Sequence, residues 1–159
     1  SIYAKRVAAG LAAKGILEVD APISGGGTLS LASLRGKHVV LFFYPKDDTR
    51  GCTIEACTFR DEHEAFLELD AKVIGISSDS VSSHDRFANK FNLPYTLLAD
   101  TKKEVRQAFG VPGNLFGLIP GRVTYVIDKS GIIRGVFNSL TDPKGHVSHA
   151  MELIRSLSA

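Results

Sequence analysis

Val39-Val40-Leu41-Phe42-Phe43-Tyr44-Pro45 is an unbroken apolar run, rich in β-branched and aromatic residues and stopped by a proline. A strand solvated on one face alternates polar and apolar residues, so this run reads as a central strand buried on both faces. Beyond a polar turn, Ala56, Phe59, Phe66 and Leu69 recur at spacings that predict one helix from about Cys52 to Leu69 with a single apolar stripe. Val73-Ile74-Gly75-Ile76 reads as the next strand. Asp79 or Ser80 then caps a helix carrying Phe87, Ala88 and Phe91 on its apolar side and ended by Pro94. A third helix near Lys102 to Phe109 leads into a loop from Gly110 to Gly121. Val123 to Ile127 and Ile132 to Phe137, joined by Asp128-Lys129-Ser130-Gly131, read as a hairpin. Asp142-Pro143 supplies a cap and a first-turn proline for a last helix that buries Val147, Ala150, Met151, Ile154 and Leu157. Strand-helix repeats followed by a hairpin and a closing helix predict an α/β, three-layer fold, with a central mixed β-sheet flanked by helices.

The chain of 159 residues has the size of one ordinary domain, so a single domain over 1–159 is expected. Residues 1–36 form its atypical N-terminal part. Tyr3 to Lys14 is helix-favouring in composition, and Gly25-Gly26-Gly27 is a flexible turn before a short strand from Thr28 to Leu31. The balance of 19 Lys and Arg against 17 Asp and Glu leaves a net charge of +2 with no dense basic run, which argues against nucleic acid or an anionic membrane as partner. Val39 to Tyr44, the longest apolar run, is too short to span a bilayer, and the N-terminus lacks a signal-peptide pattern. The chain is therefore expected to be soluble. His146 and His149 are three residues apart, but neither cysteine completes a zinc-site spacing, and both read as surface histidines.

Two cysteines close together in a domain that needs no staple read as working thiols. Thr49-Arg50-Gly51-Cys52 leaves the central strand and enters the helix, which puts Cys52 in the first helical turn. Unpaired backbone N–H groups and the helix dipole favour negative charge there. Cysteine reacts as the thiolate, and a helix N-terminus beside an arginine is a setting that promotes it. The alternative is a small buried hydrophobe. Cys57 lies five residues on, and in an intact helix the two Cα atoms would be ~8 to 9 Å apart. A disulfide needs them within roughly 7 Å. If the two ever pair, the first turns of the helix must unwind; otherwise Cys57 is a core residue of the helix.

Pro45-Lys46-Asp47-Asp48-Thr49-Arg50-Gly51-Cys52 resembles the Pro-x-x-x-Thr-x-x-Cys motif of peroxiredoxins. Cys52-Thr53-Ile54-Glu55-Ala56-Cys57 is similar to the peroxiredoxin Q, or bacterioferritin comigratory protein, branch of that family. So are Val73 to Ser77, Leu93-Pro94-Tyr95, Leu115-Phe116-Gly117 and Pro120 to Asp128, and the resemblance runs over about residues 37 to 158. It implies a thioredoxin-like fold, in keeping with the element order, and a peroxidase that uses no metal or organic cofactor. It implies Cys52 as the peroxidatic nucleophile, Cys57 as the resolving thiol, and Thr49 and Arg122 as the groups that hold thiolate and peroxide. A hydroxyl and a guanidinium suit that task, because the departing oxygen gains negative charge. Pro45, with no N–H, would shield the sulfur; Glu55 would orient polar neighbours, and Phe116 would wall the peroxide pocket. Read without the family, Arg122 is a solvated loop residue and Thr49 a capping hydroxyl.

The substrates implied are hydrogen peroxide and small organic hydroperoxides. Thioredoxin or a similar dithiol reduces the Cys52–Cys57 disulfide in that family. The resemblance also implies a monomer, located in the cytoplasm or, after loss of a transit peptide, in a plastid. A redox-sensing or holdase-like protein using the same disulfide as a switch is the competing reading. A thioredoxin-like disulfide oxidoreductase is disfavoured by the lack of a Cys-x-x-Cys pair. Two departures stand out. Arg50 occupies a position where proline is frequent. Ala21-Pro22 runs into Ile23-Ser24-Gly25-Gly26-Gly27 in place of the family's Ala-Pro-Asp-Phe-Thr-Leu opening, so the usual N-terminal hairpin is not expected.

Overall fold

His38–Phe43 forms the strand read from the apolar run, and all of its residues are buried. In the computed structural model, which describes residues 20–113 and 120–158, it is β3, the middle strand of a five-stranded sheet. The elements in chain order are β1 (Asp20–Pro22), β2 (Thr28–Ser30), a 3-10 turn (Leu31–Leu34), β3, α1 (Arg50–Asp61), α2 (His63–Glu68) and β4 (Ala71–Ser77). They continue with α3 (Val81–Phe91), β5 (Thr96–Ala99), α4 (Glu104–Phe109), β6 (Val123–Ile127), β7 (Ile133–Asn138) and α5 (Pro143–Ser158). The sheet order is β5-β4-β3-β6-β7. β3 runs parallel to β4, with Phe42 beside Gly75, and antiparallel to β6, with Phe42 beside Thr124. The sheet is mixed, as expected of strand-helix repeats closed by a hairpin.

Alternate residues of β3, with Tyr44 just beyond its end, feed two separate cores. Val40, Phe42 and Tyr44 pack with Cys52, Ala56, Phe59, Phe66, Phe87, Val147, Ala150 and Ile154, which come from α1, α2, α3 and α5. Val39, Leu41 and Phe43 pack on the other face with Leu31, Leu34, Val105, Ala108 and Phe109. This is the period-2 geometry of a strand with helices on both sides. Gly75 is required where β4 passes β3. A Cβ there would lie 2.7 Å from Phe42 Cζ and 2.8 Å from Leu97 Cδ2, both fully buried.

Two expectations change. The helix expected from Cys52 to Leu69 is two helices, broken at Glu62, whose φ of −97° and ψ of 1° lie in the bridge region. The apolar stripe does not mark the break, because Phe66 still packs on Phe59 at a ring separation of 5.9 Å. The opening hairpin exists after all. Asp20 pairs with Ser30 and Pro22 with Thr28, and Gly25, Gly26 and Gly27, all at positive φ, turn the chain between them. Ser24 ties this turn to the sheet edge, its N–H donating to the Leu97 carbonyl and its Oγ accepting from Leu97 N–H. That edge, β5, was not read from the sequence; it is short and follows Pro94 closely. No helix among the described residues is long and apolar enough to cross a membrane.

Candidate active site

The site lies at the C-terminal end of β3, where the chain turns through Pro45–Thr49 into α1. Ligand sites in open α/β sheets gather beyond the carboxyl ends of parallel strands. Thr49 is the N-cap residue, extended at φ −97° and ψ 158°, and its carbonyl receives the Thr53 N–H at 2.8 Å. Its side chain does not cap the helix. The hydroxyl donates to the Lys46 carbonyl at 2.8 Å, which commits its hydrogen and leaves the oxygen free to accept. Cys52 is the third residue of α1, inside the first turn, and is 1% exposed.

Arg122, at the entry to β6, brings charge to that sulfur. It is buried at 4% exposure, so the solvated-loop reading of this residue fails. Its guanidinium is divided three ways: Nη2 donates to Cys52 Sγ at 3.4 Å, Nη1 to Glu55 Oε1 at 2.8 Å, and Nε to the Leu140 carbonyl at 3.1 Å. Glu55, one turn after Cys52 on α1, is fully buried. Burial pushes its carboxyl up to about 8, with the Arg122 charge and hydrogen bond pulling the other way. Gly51 lets the guanidinium in, since a Cβ there would lie 2.9 Å from Nη2.

A second cluster holds the loop that carries Pro45 and Thr49. The buried Asp47 carboxylate accepts from Tyr44 Oη at 2.6 Å and Ser83 Oγ at 2.8 Å, and meets His84 Nδ1 at 2.7 Å. Burial works against this carboxylate, yet the hydrogen bonds from His84, Tyr44 and Ser83 hold it below the usual range. The Asp47 N–H donates to Asp79, which also accepts from Ser77 Oγ. Asp47, Asp79 and His84 bring ligand-type atoms within 4.8 Å of one another. Each is already taken up by protein partners, His84 Nε2 reaching the Leu98 carbonyl at 3.1 Å, and the group serves as the anchor of the loop.

Cys57 is half-buried on the same unbroken helix as Cys52, and both are free thiols. Burial pushes the Cys57 thiol up, Arg60 opposing and Asp61 adding to the effect. Around it, Tyr95 Oη donates to the Ala56 carbonyl at 2.6 Å and Arg60 Nη1 to the Phe91 carbonyl at 2.7 Å. Pro45 is half-buried directly before the loop. Phe116 lies outside the described residues. His149 is exposed as read, but His146 is fully buried beside Glu55. Its position just before Val147 in the apolar stripe was the signal for that burial. Thr124 lies within the Pro120–Asp128 stretch but was assigned no role in it, and His84, also buried, carries no sequence motif of its own.

Residues 13–136 match the AhpC/TSA family. The chain is 48% identical over 132 residues to a protein of Populus jackii named peroxiredoxin Q, chloroplastic, covering 83% of this chain and 62% of that one. The protein of the same name from Sedum lineare is 48% identical over 132 residues, with 83% of this chain and 71% of that one covered. Thus the chain spans about six tenths to seven tenths of these relatives' lengths. A solved structure of the Xanthomonas campestris bacterioferritin comigratory protein, described with alkyl peroxide reduction activity, superposes with a TM-score of 0.85 at 26% identity, covering 92% of this chain and 96% of that one.

Proposed function

The chain belongs to the AhpC/TSA family, in its peroxiredoxin Q branch, and from that premise we propose that it is a thiol peroxidase with Cys52 as nucleophile and Cys57 as resolving thiol. The observation that carries the reading is the Arg122 guanidinium set 3.4 Å from the Cys52 sulfur at the start of a helix. The Cys52 thiolate attacks the O–H oxygen of the peroxide, the S–O bond forms as the O–O bond breaks to leave the sulfenic acid, and the departing oxygen takes up the proton that Cys52 lost on ionising, leaving as water or an alcohol. Arg122 and the helix N-terminus oppose the negative charge that grows on the departing oxygen. Thr49, its hydrogen committed to Lys46, accepts from the peroxide O–H and orients it. Pro45 offers no N–H to compete for the sulfur.

Cys57 then attacks the sulfenic sulfur, forming the disulfide and releasing water. This requires α1 to unwind, since an intact helix holds the two Cα atoms ~8 to 9 Å apart. Unwinding also removes the burial that keeps the Cys57 thiol protonated. A dithiol such as thioredoxin returns both cysteines to thiols through a mixed disulfide. No metal or organic cofactor takes part. The substrates are hydrogen peroxide and small organic hydroperoxides, the latter supported by the activity described for the Xanthomonas protein. The chloroplastic names of the plant relatives support a plastid location over the cytoplasm. The working unit is a monomeric single domain.

The test is thioredoxin-coupled hydrogen peroxide consumption by the native chain, Cys52→Ser and Cys57→Ser, with mass spectrometry after one equivalent of peroxide. Loss of turnover in both variants, a disulfide in the native chain and a sulfenic acid on Cys52 in Cys57→Ser are expected. Full turnover in Cys57→Ser would leave a one-cysteine enzyme. A native disulfide without turnover would replace the peroxidase with a redox sensor.

A further inference from the structure

Behind Arg122 lies a buried pair that the cycle above does not use. Glu55 Oε1 takes the Arg122 Nη1 bond, but Oε2 is buried with no hydrogen-bond partner among the described residues. The atom that faces it is His146 Nδ1, at 3.5 Å, with both side chains fully buried. The imidazole cannot swing away. Its Nε2 lies 2.7 Å from the Ser139 carbonyl, its Nδ1 lies 2.8 Å from Thr124 Oγ1, and its ring meets Phe137 edge-on at 4.7 Å.

These contacts determine where the hydrogens are. A carbonyl only accepts, so Nε2 carries one, and in the neutral ring Nδ1 is a bare acceptor whose single lone pair is shared between Thr124 Oγ1 at 2.8 Å and Glu55 Oε2 at 3.5 Å. Two facing acceptors in a fully buried site repel each other unless a proton lies between them, and an unpaired buried carboxylate oxygen is costly.

We propose that Glu55 and His146 hold one proton between Oε2 and Nδ1, and that this proton governs how much of the Arg122 charge reaches the Cys52 sulfur. With the proton present the carboxyl is neutral, and the guanidinium acts on Cys52 as an uncompensated cation. When the proton is lost to solvent, the carboxylate pairs with Arg122 and draws its charge away from the sulfur. Glu55 and His146 are thus positioning residues, acting through Arg122. Burial pushes His146 down to about 4 and Glu55 up to about 8, so between those values the proton sits on Glu55 and the ring is neutral. The other groups facing the pair are Arg122 itself, Cys52 on the same helix, Tyr95 beside β5, and Asp142 and His149 around the ring. Burial, with the Glu55 and Cys57 charges adding, holds the Tyr95 hydroxyl well above its ordinary value, so it does not titrate in this window.

This inference rests on Cys52 being the peroxide nucleophile, and its test separates the two claims. In a Cys57→Ser background, the rate of Cys52 oxidation by one equivalent of hydrogen peroxide is followed by mass spectrometry from pH 5 to pH 10. A descending limb centred near pH 8 is expected with Glu55 native. Glu55→Gln, whose amide keeps a donor toward Nδ1 at every pH, loses that limb whatever its absolute rate. His146→Asn, which keeps an acceptor at the Nδ1 position, retains the limb, and His146→Gln, which does not, moves its midpoint. Nitrogen-15 NMR of labelled histidine gives a readout independent of activity: His146 is the neutral Nε2–H tautomer at pH 7, and its Nδ1 shift follows the Glu55 titration and stays flat in Glu55→Gln. An imidazolium at pH 7, or a descending limb that survives in Glu55→Gln, overturns the proposal. If the NMR titration appears and peroxide does not oxidise Cys52, the proton pair stands and the peroxidase reading fails.

Discussion

Arg122 Nη2 donates to the Cys52 sulfur at 3.4 Å, although 70 positions separate the two residues in the chain. The guanidinium fork is divided between Cys52 and Glu55, so its geometry matters as well as its charge. A lysine keeps the charge and loses the fork. Arg122→Lys is therefore expected to lower kcat/KM for hydrogen peroxide by about 10²- to 10³-fold, the usual cost of one transition-state donor. Competition kinetics against a reference peroxidase measures it. A loss of less than threefold would remove Arg122 from the reaction.

Gly51→Ala separates stability from turnover. In an ordinary helix this change stabilises by roughly 0.5–1 kcal/mol. Here the new Cβ meets Nη2 at 2.9 Å, and Arg122 cannot yield freely because Leu140 and Glu55 hold it. The guanidinium is displaced from the sulfur. The thermal midpoint should hold steady or rise while kcat/KM falls by at least about tenfold, by analogy with a misplaced oxyanion donor.

Tyr95→Phe loosens the helix that must unwind. The tyrosine hydroxyl donates to the Ala56 carbonyl at 2.6 Å, next to Cys57. Losing one such buried bond costs about 1 kcal/mol. Disulfide formation after a peroxide pulse should be faster, by roughly fivefold if the whole cost appears in the unwinding step. Hyperoxidation of Cys52 to the sulfinic acid should fall in parallel, because sulfenic acid is consumed sooner. Quenched mass spectrometry reads both, and an unchanged rate would show that the latch does not restrain α1.

Asp47→Ala removes the anchor of the Pro45–Thr49 loop and leaves Tyr44, Ser83 and His84 without their shared acceptor. A loss of roughly 3 kcal/mol in unfolding free energy is expected. The native Asp47 carboxyl lies below its unfolded value of 3.8, so its contribution is present above that value and is lost as the pH falls through the native one. Native-chain stability should therefore fall more steeply with acid below about pH 4 than its remaining carboxylates would produce, and Asp47→Ala should flatten that dependence.

Glu55 has the opposite sign. Its carboxyl is raised from 4.5 to about 8 by burial, so the folded chain holds a proton that the unfolded chain has already released. The associated stability is full below pH 4.5 and declines as the pH rises toward about 8. Glu55→Gln should level the urea midpoint across that window.

What the sequence by itself determined was set by local pattern. The apolar run of β3, the stripes of α3 and α5 and the β6–β7 hairpin follow from periodicity and turn chemistry, which act over a few residues. The first-turn position of Cys52 follows from the order strand, polar turn, helix. Only the tertiary structure decided the partners of that cysteine. Arg122 and Glu55 meet from 67 positions apart in a buried site, and no local signal distinguishes a buried arginine from a solvated one. The N-terminal hairpin was likewise invisible, because its registering contacts are tertiary. Ser24 bonds to Leu97 and the Gly25 N–H to the Asp85 carboxylate at 2.8 Å, holding three glycines at positive φ that the chain alone leaves free. His146 shows the same limit at the candidate site: it read as a surface histidine, and only the packing of its helix against the one that supplies the facing Glu55 oxygen makes it part of a buried pair.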